Sequence, residues 1–242
     1  DRNGRIRYDS PGFFRGESTV IEFELTEDQI ALQEMAHDFA ASEMRPKAAV
    51  YDQGHAFPED VMRKAFEVGF LTCTVPAEYD DVGLGDLDTA IVSEELAWGC
   101  AGMYTTMMAN SLAFTPILLF GSEEQKKRLF APFLKDMAFA SYCLTEREAG
   151  SDTSAIKTTA RKDGPDYVIN GSKCFITNGG VSSLYVVFAN SAPGKGPRGL
   201  SVFAVPRDTP GITVGKVEDK FGHRASNTTE LFFEDVRVPA AN

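Results

Sequence analysis

Cys143-Leu144-Thr145-Glu146-Arg147-Glu148-Ala149-Gly150-Ser151-Asp152-Thr153-Ser154-Ala155 is the stretch on which the reading of this chain turns. It carries hydroxyls at Thr145 and Ser151, a flexible Gly150, and a run of backbone N–H groups where helical sequence gives way to strand sequence. A loop of that make-up can cradle a phosphate or the polar edge of a ring through main-chain donors. The same residues also suit an ordinary capped connector, with Ser151 and Asp152 bonding their own backbone. The residues alone leave both readings open.

Upstream of this loop the pattern is helical. Thr26 and Gln29 have capping-box spacing, and Ile30, Met35 and Phe39 follow as a loose apolar stripe. That helix should end near Arg45, because Pro46 disfavours helical geometry in the residue before it. Pro58 suits a first helical position, with Val61, Ala65 and Phe66 on one face and Gly69 as C-cap. A third helix is expected from about Leu87 to Trp98, followed by an uncharged one. Ser122 and Gln125 form a second capping box, opening a helix that Pro132 should end. Downstream, from Ala155, the helical period disappears and β-rich runs alternate with turn residues. Strands are expected at 157–162, 167–170, 174–177, 184–189, 200–206, 212–217 and 229–238. Asp163-Gly164-Pro165-Asp166 separates the first two, and Asn170-Gly171 signals a tight hairpin. The implied fold class is α+β: an extension over residues 1–21, disordered or artificial, an all-α domain over 22–137, and a small antiparallel β-sandwich or barrel over 138–242.

Bulk composition excludes several functions. With 24 basic and 35 acidic residues the 242-residue chain carries a net charge of -11, which argues against a nucleic-acid partner. Cys73, Cys100, Cys143 and Cys174 are far apart, and His37, His55 and His223 are equally scattered, so no metal site is expected. Widely spaced cysteines with apolar neighbours read as reduced core residues of an intracellular protein. The opening residues, Asp1 to Thr19, mix four arginines with Asp1, Asp9 and Glu17, unlike a transit peptide, and show no secretory signal. Leu96–Ser122 has no charge across 27 residues, yet Gly99, Gly102, Asn110, Ser111 and Pro116 interrupt it, which favours a buried helix over a membrane span.

Three ordered runs resemble the acyl-CoA dehydrogenase family. The opening stretch fits the family's small-aliphatic-Ser/Thr-Glu pattern with its Gly-Ser/Thr-Asp continuation. Phe175-Ile176-Thr177-Asn178-Gly179-Gly180 resembles the aromatic-Ile-Thr-Asn-Gly segment that follows. Gly222-His223-Arg224-Ala225-Ser226-Asn227-Thr228, with Phe233-Glu234-Asp235-Val236-Arg237-Val238-Pro239, is similar to the end of the family's middle domain. Trp98-Gly99-Cys100 through Asn110-Ser111-Leu112 and Gly121 resembles the helical domain of its medium-chain members. Two departures stand out. Arg147 and Glu148 replace the proline and small residue common after Thr-Glu, and Phe175 stands where tryptophan is more usual.

The resemblance implies FAD. Tyr142, Leu144 and Thr145 would address the pyrimidine side of the flavin, and Gly150 and Ser151 its pyrophosphate. Phe175 would lie along the isoalloxazine and Thr177 would donate near N5, with Ile176 between them also counted as cofactor-binding, since a hydride acceptor needs donors around its charged positions. Ser151, Thr105, Met108 and Leu112 match positions at the acyl-CoA substrate, although a Met and aliphatic stripe at helical spacing also suits plain core. Lys195 and Arg198 lie in a loop that could face CoA phosphates or serve as ordinary surface. The implied reaction is α,β-desaturation, with electrons passed to an electron-transfer flavoprotein, in a dimer or tetramer of the cytoplasm, or of the mitochondrial matrix in a eukaryote. No catalytic residue is assigned within the chain. The base would be a Glu in a C-terminal helical bundle after Asn242, with Glu146 structural. Alternatives are a related flavin oxidase or monooxygenase, another acyl-CoA-transforming relative, and a non-catalytic binding or assembly subunit.

Overall fold

Thr26 opens the helical half with a complete capping box: its Oγ1 accepts the Gln29 amide at 3.2 Å, and the Gln29 side chain accepts the Thr26 amide at 3.1 Å. The computed structural model describes residues 24–79 and 82–242, so the extension expected over 1–21 lies outside them. Helix α1 (Glu27–Phe39) does not stop before Pro46. A π turn over Ala40–Met44, in which Arg45 N donates to Ala40 O, leads into α2 (Arg45–Gly54) with Pro46 in its first turn. The widened turn shifts the hydrogen-bond partner by one residue, and the proline's missing N–H falls where a new helix begins. Helix α3 (Glu59–Glu67) starts after Pro58, which is its cap and not its first residue. It closes at Val68, with Gly69 beyond at φ 84°.

The two helices expected after Leu87 are present and run on from each other across a kink, together making α4 (Asp86–Phe120), of 35 residues. It departs from helical geometry only at Cys100, whose φ/ψ of -165°/112° is extended. Beside the break, a Cβ on Gly99 would lie 2.8 Å from Ala40 Cβ and 3.2 Å from the Ala40 backbone. The kink and the π turn therefore meet at backbone contact. Helix α5 (Glu123–Lys135) opens with the Ser122–Gln125 box and runs through Pro132, contrary to expectation, with a single turn left beyond it. Among the described residues no helix is long and apolar enough to cross a membrane. The uncharged run is core: Leu96, Met103 and Met107 pack with Ala36, Ala40, Met44 and Met62.

The second half is one seven-stranded sheet. Its strands are β1 (Ala140–Cys143), β2 (Thr159–Asp163), β3 (Asp166–Thr177), β4 (Leu184–Asn190), β5 (Leu200–Pro206), β6 (Ile212–Val217) and β7 (Thr228–Pro239). The order is β1-β4-β2-β3-β7-β6, with β5 also on β4. The α+β class is the one expected, but the sheet is mixed: β1 runs parallel to β4, as does one contact of β2. Strand β1, only four residues long, is too short to show alternation and has no counterpart in the sequence reading. Asn170-Gly171 is not a turn. The strands expected at 167–170 and 174–177 are one strand, and Gly171 sits at a register shift where a Cβ would come within 2.5 Å of Thr158 Oγ1. The glycine answers a close approach, not a reversal. The β2–β3 hairpin does turn at Gly164-Pro165, between paired Asp163 and Asp166.

Strand β4 shows the period of two that positions everything else. Leu184 and Val186 meet Phe114, Phe130 and Phe133 of α4 and α5, whereas Tyr185 and Val187 join Ile169, Phe203, Leu231 and Val236 inside the curl of the sheet. The two halves are joined by buried Asn110 of α4. Its Nδ2 donates to Leu71 O at 3.2 Å and Ala138 O at 3.0 Å, and its Oδ1 accepts Ala140 N at 2.8 Å. Asn110→Ala should therefore cost at least about 3 kcal/mol, since it leaves three buried backbone groups unpaired. Urea unfolding that shows a loss below about 1 kcal/mol at unchanged slope would contradict this.

Candidate functional site

Strand β1 delivers the chain into the Leu144–Ser151 turn, and β3 passes alongside it. Cys174 N donates to Thr145 O at 2.9 Å. Lys173, one residue earlier on β3, is fully buried and donates its Nζ to Leu144 O at 2.9 Å and to Glu146 Oε1 at 2.8 Å. The turn and the strand are thus brought together, as the sequence reading required of residues that grip one ligand.

Glu146 holds the root of the turn. Besides Lys173, its carboxylate accepts Lys157 N at 2.7 Å and Thr158 N at 3.0 Å. Burial opposes its ionisation, but the Lys173 ammonium and these donors prevail and hold its pKa below the ordinary carboxylate value. Both oxygens are committed, so Glu146 is a structural anchor and poorly placed to take a proton from a substrate. Lys173 itself escaped the sequence reading. The available signal was a lysine on a β strand in phase with the inward-facing Ile169, a position where an unpaired charge would be prohibitive.

Past Glu146 the backbone closes a tight hairpin: Glu146 N donates to Ala149 O at 2.9 Å and Ala149 N to Glu146 O at 3.2 Å. Gly150 then opens onto free space, with nothing within 4 Å of a built Cβ, and Ser151 is exposed. Asp152 Oδ1 accepts Ser154 N at 2.9 Å, the local cap foreseen as the plainer reading of this stretch. Tyr142 and Leu144 are half-buried, and the Tyr142 ring tilts against Phe188 with centroids 4.8 Å apart.

On β3, register shifts between Lys173 and Ile176 mark a bulge. Phe175 lies in it at φ 56°, a left-handed conformation that costs a bulky residue on the order of 1 kcal/mol. The result is an aromatic ring 64% exposed beside the turn, while Ile176 is buried and Thr177 half-buried. The Thr177 carbonyl accepts Ser141 Oγ at 2.8 Å, which fixes the strand end against β1. Asn178, also left-handed at φ 60°, donates its Nδ2 to Thr106 O at 2.9 Å and so carries β3 onto α4.

That contact places Thr105 of α4 near the strand end. Thr105 Oγ1 donates to Ala101 O at 2.8 Å and lies 3.3 Å from His223 Nδ1. Met108 is half-buried against the helical core, and Leu112, further along the same face, is 54% exposed. Of the four substrate-side residues, Ser151 lies on the turn and Thr105, Met108 and Leu112 lie on α4. Lys195 and Arg198 are exposed in the loop ahead of β5.

Comparison with known proteins agrees with this layout. The family model described as acyl-CoA dehydrogenase, N-terminal domain, matches residues 26–136, and the corresponding middle-domain model matches 141–236. Mitochondrial isobutyryl-CoA dehydrogenase from Bos taurus is 43% identical over 218 residues, covering 90% of this chain and 52% of its own. Butyryl-CoA dehydrogenase from Megasphaera elsdenii is 36% identical with a TM-score of 0.86, over 92% of this chain and 59% of that one. A glutaryl-CoA dehydrogenase from Mycobacterium smegmatis, solved in complex with FADH2, is 29% identical with a TM-score of 0.82, over 90% and 55% respectively. The chain thus spans between half and two thirds of the length of these relatives.

The buried pair yields a test. Lys173→Met should cost about 3–5 kcal/mol at neutral pH, because it strands a buried carboxylate. The depressed pKa of Glu146 means its contribution is present above the ordinary carboxylate value, near pH 4.3, and is lost as pH falls through the lower folded value. The gap between wild type and Lys173→Met should therefore narrow in acid. A gap that is small at pH 7, or that widens below about pH 4, would count against the assignment.

Proposed function

Since the chain belongs to the acyl-CoA dehydrogenase family, we propose that the Thr145–Ser151 turn and the Phe175–Thr177 segment together bind FAD in an enzyme that desaturates an acyl-CoA thioester. The observation that carries this reading is the Cys174 N to Thr145 O bond at 2.9 Å, which sets the turn and the bulge edge to edge. The residues suit the cofactor. An exposed aromatic held out of its preferred backbone region offers a flat apolar face. Gly150 leaves room for a phosphate to approach backbone N–H groups.

In this reading Tyr142, Leu144 and Thr145 hold the pyrimidine side of the ring, and Gly150 and Ser151 hold the pyrophosphate. Phe175 would pack along the isoalloxazine and Thr177 would donate near N5, while Ile176, its side chain in the core of the sheet, would meet the cofactor through its backbone. FAD when bound supplies the hydride acceptor. The residues of this chain orient it, exclude water, and offer donors where negative charge gathers on reduction. Ser151, Thr105, Met108 and Leu112 form the substrate side. The α-proton is taken by a carboxylate other than Glu146, supplied by the C-terminal helical bundle that the family resemblance implies. Electrons leave to an electron-transfer flavoprotein, and the working form is a homo-oligomer in the cytoplasm, or in the mitochondrial matrix of a eukaryote. Relatives named for isobutyryl-, butyryl- and glutaryl-CoA, and one named medium-chain specific, support a short- to medium-chain acyl thioester as substrate.

The test is FAD titration followed by tryptophan and flavin fluorescence. Wild-type protein should bind FAD and take on its visible absorption; a colourless protein indifferent to added FAD overturns the proposal. Phe175→Gly should leave apo stability within about 0.5 kcal/mol, because relief of the left-handed φ offsets glycine's entropy cost. The same change should weaken FAD about three- to ten-fold through loss of the ring face. Unchanged FAD affinity in that variant would remove Phe175 from the site.

A further inference from the structure

We infer that Arg147 and Glu230 are positioning residues for the flavin: their ion pair pins the tip of the Glu146–Ala149 turn to the bulge that carries Phe175. The inference rests on the FAD reading above and concerns how the two halves of that site are held in register.

The backbone of the turn is anchored at its base, where Glu146 and buried Ala149 pair with each other. Glu146 is fixed by Lys173, Lys157 and Thr158, but Arg147 and Glu148 at the tip are exposed, as are Gly150 and Ser151 beyond Ala149, and nothing lies within 4 Å of a Cβ built on Gly150. The backbone pair at Glu146 and Ala149 leaves the tip itself to its side chains, and two ion pairs restrain it. On one side Glu148 pairs with Lys157. On the other, Arg147 Nη2 lies 2.6 Å from Glu230 Oε1 on β7.

Glu230 is not an arbitrary partner. Lys173 pairs with Leu231 and Ile176 with Thr229, so Glu230 is the single β7 residue opposite Cys174 and Phe175 in the bulge. The guanidinium therefore reaches from the turn, across β3, to the one residue that backs the exposed ring. At the positions where the family commonly has a proline and a small residue, this chain has a charge on each side. A proline would stiffen the turn through its own φ; here the tip is held electrostatically. Because the Arg147 side chain is 78% exposed, salt screens the pair. Cofactor retention should then depend on ionic strength in a way that Arg147 controls.

The experiment measures FAD dissociation constants of the full-length protein at low salt and at about 1 M salt, where charges are screened within a few ångströms. The variants are Arg147→Gln, Glu230→Gln and the exchange Arg147→Glu with Glu230→Arg, and the melting temperature of each apoprotein is recorded alongside. At low salt each single variant should weaken FAD about two- to five-fold, the range expected for an exposed pair. The gap to wild type should close at high salt, and the exchange should restore most of the affinity with apo melting unchanged. Wild-type affinity in Arg147→Gln at low salt, or an exchange no better than Arg147→Glu alone, overturns the inference and leaves the FAD reading intact. Failure of the wild type to bind FAD at all overturns both.

Discussion

A lysine ammonium with no access to water is the constraint around which this site is built. Among the described residues Lys173 Nζ donates to Leu144 O and Glu146 Oε1, and Glu146 in turn engages the amides of Lys157 and Thr158. Transferring both charges inward is expensive, and their attraction repays it only when every remaining lone pair and proton is met. Here that requirement dictates geometry. The end of β1, the start of β2 and the middle of β3 must converge on one point, or the charges are stranded. An apolar pair could fill the same volume, but it would not specify which backbone atoms meet. Thr145 and Cys174 become neighbours as a by-product of neutralising Lys173.

The same convergence explains why β3 tolerates strain. A bulge and two left-handed non-glycine residues, Phe175 and Asn178, fall within four positions. Such features persist where surrounding contacts over-determine the backbone. On one side Lys173 is immobilised by its ion pair, and on the other Asn178 is tied to Thr106 O and to Asn227 O. Between those two fixed points the chain has one residue more than the ladder can pair, and the excess is expressed as an outward-turned ring.

Much of this was legible in the sequence because it depends on local chemistry. Both capping boxes, the helical character before Lys135 and the strand character after Ala155 follow from spacing that a single segment displays. The Thr145 and Phe175 segments could be singled out through family resemblance, and their adjacency comes from the Cys174 N to Thr145 O bond. What the sequence hid depends on distant partners. Pro46 reads as a helix stop until the π turn beside Gly99 is known. Asn170-Gly171 reads as a hairpin until Thr158 is seen pressing on Gly171. Lys173 goes unnoticed in the sequence because Glu146, its partner, lies 27 positions away. Arg147 looked like a mere departure from pattern, because its partner Glu230 lies 83 residues on.

The bonds of Asn110 have a consequence for how the molecule comes apart. One side chain in the middle of α4 serves a carbonyl of the loop after α3, a carbonyl of the connector after α5, and the first amide of β1. Opening of the sheet edge at β1 must break a bond that also secures the helices, and fraying of α4 must release the edge. Helical bundle and sheet therefore share one cooperative unit at this seam, and solvent deuterium should reach the Ala140 amide no sooner than it reaches the interior of α4.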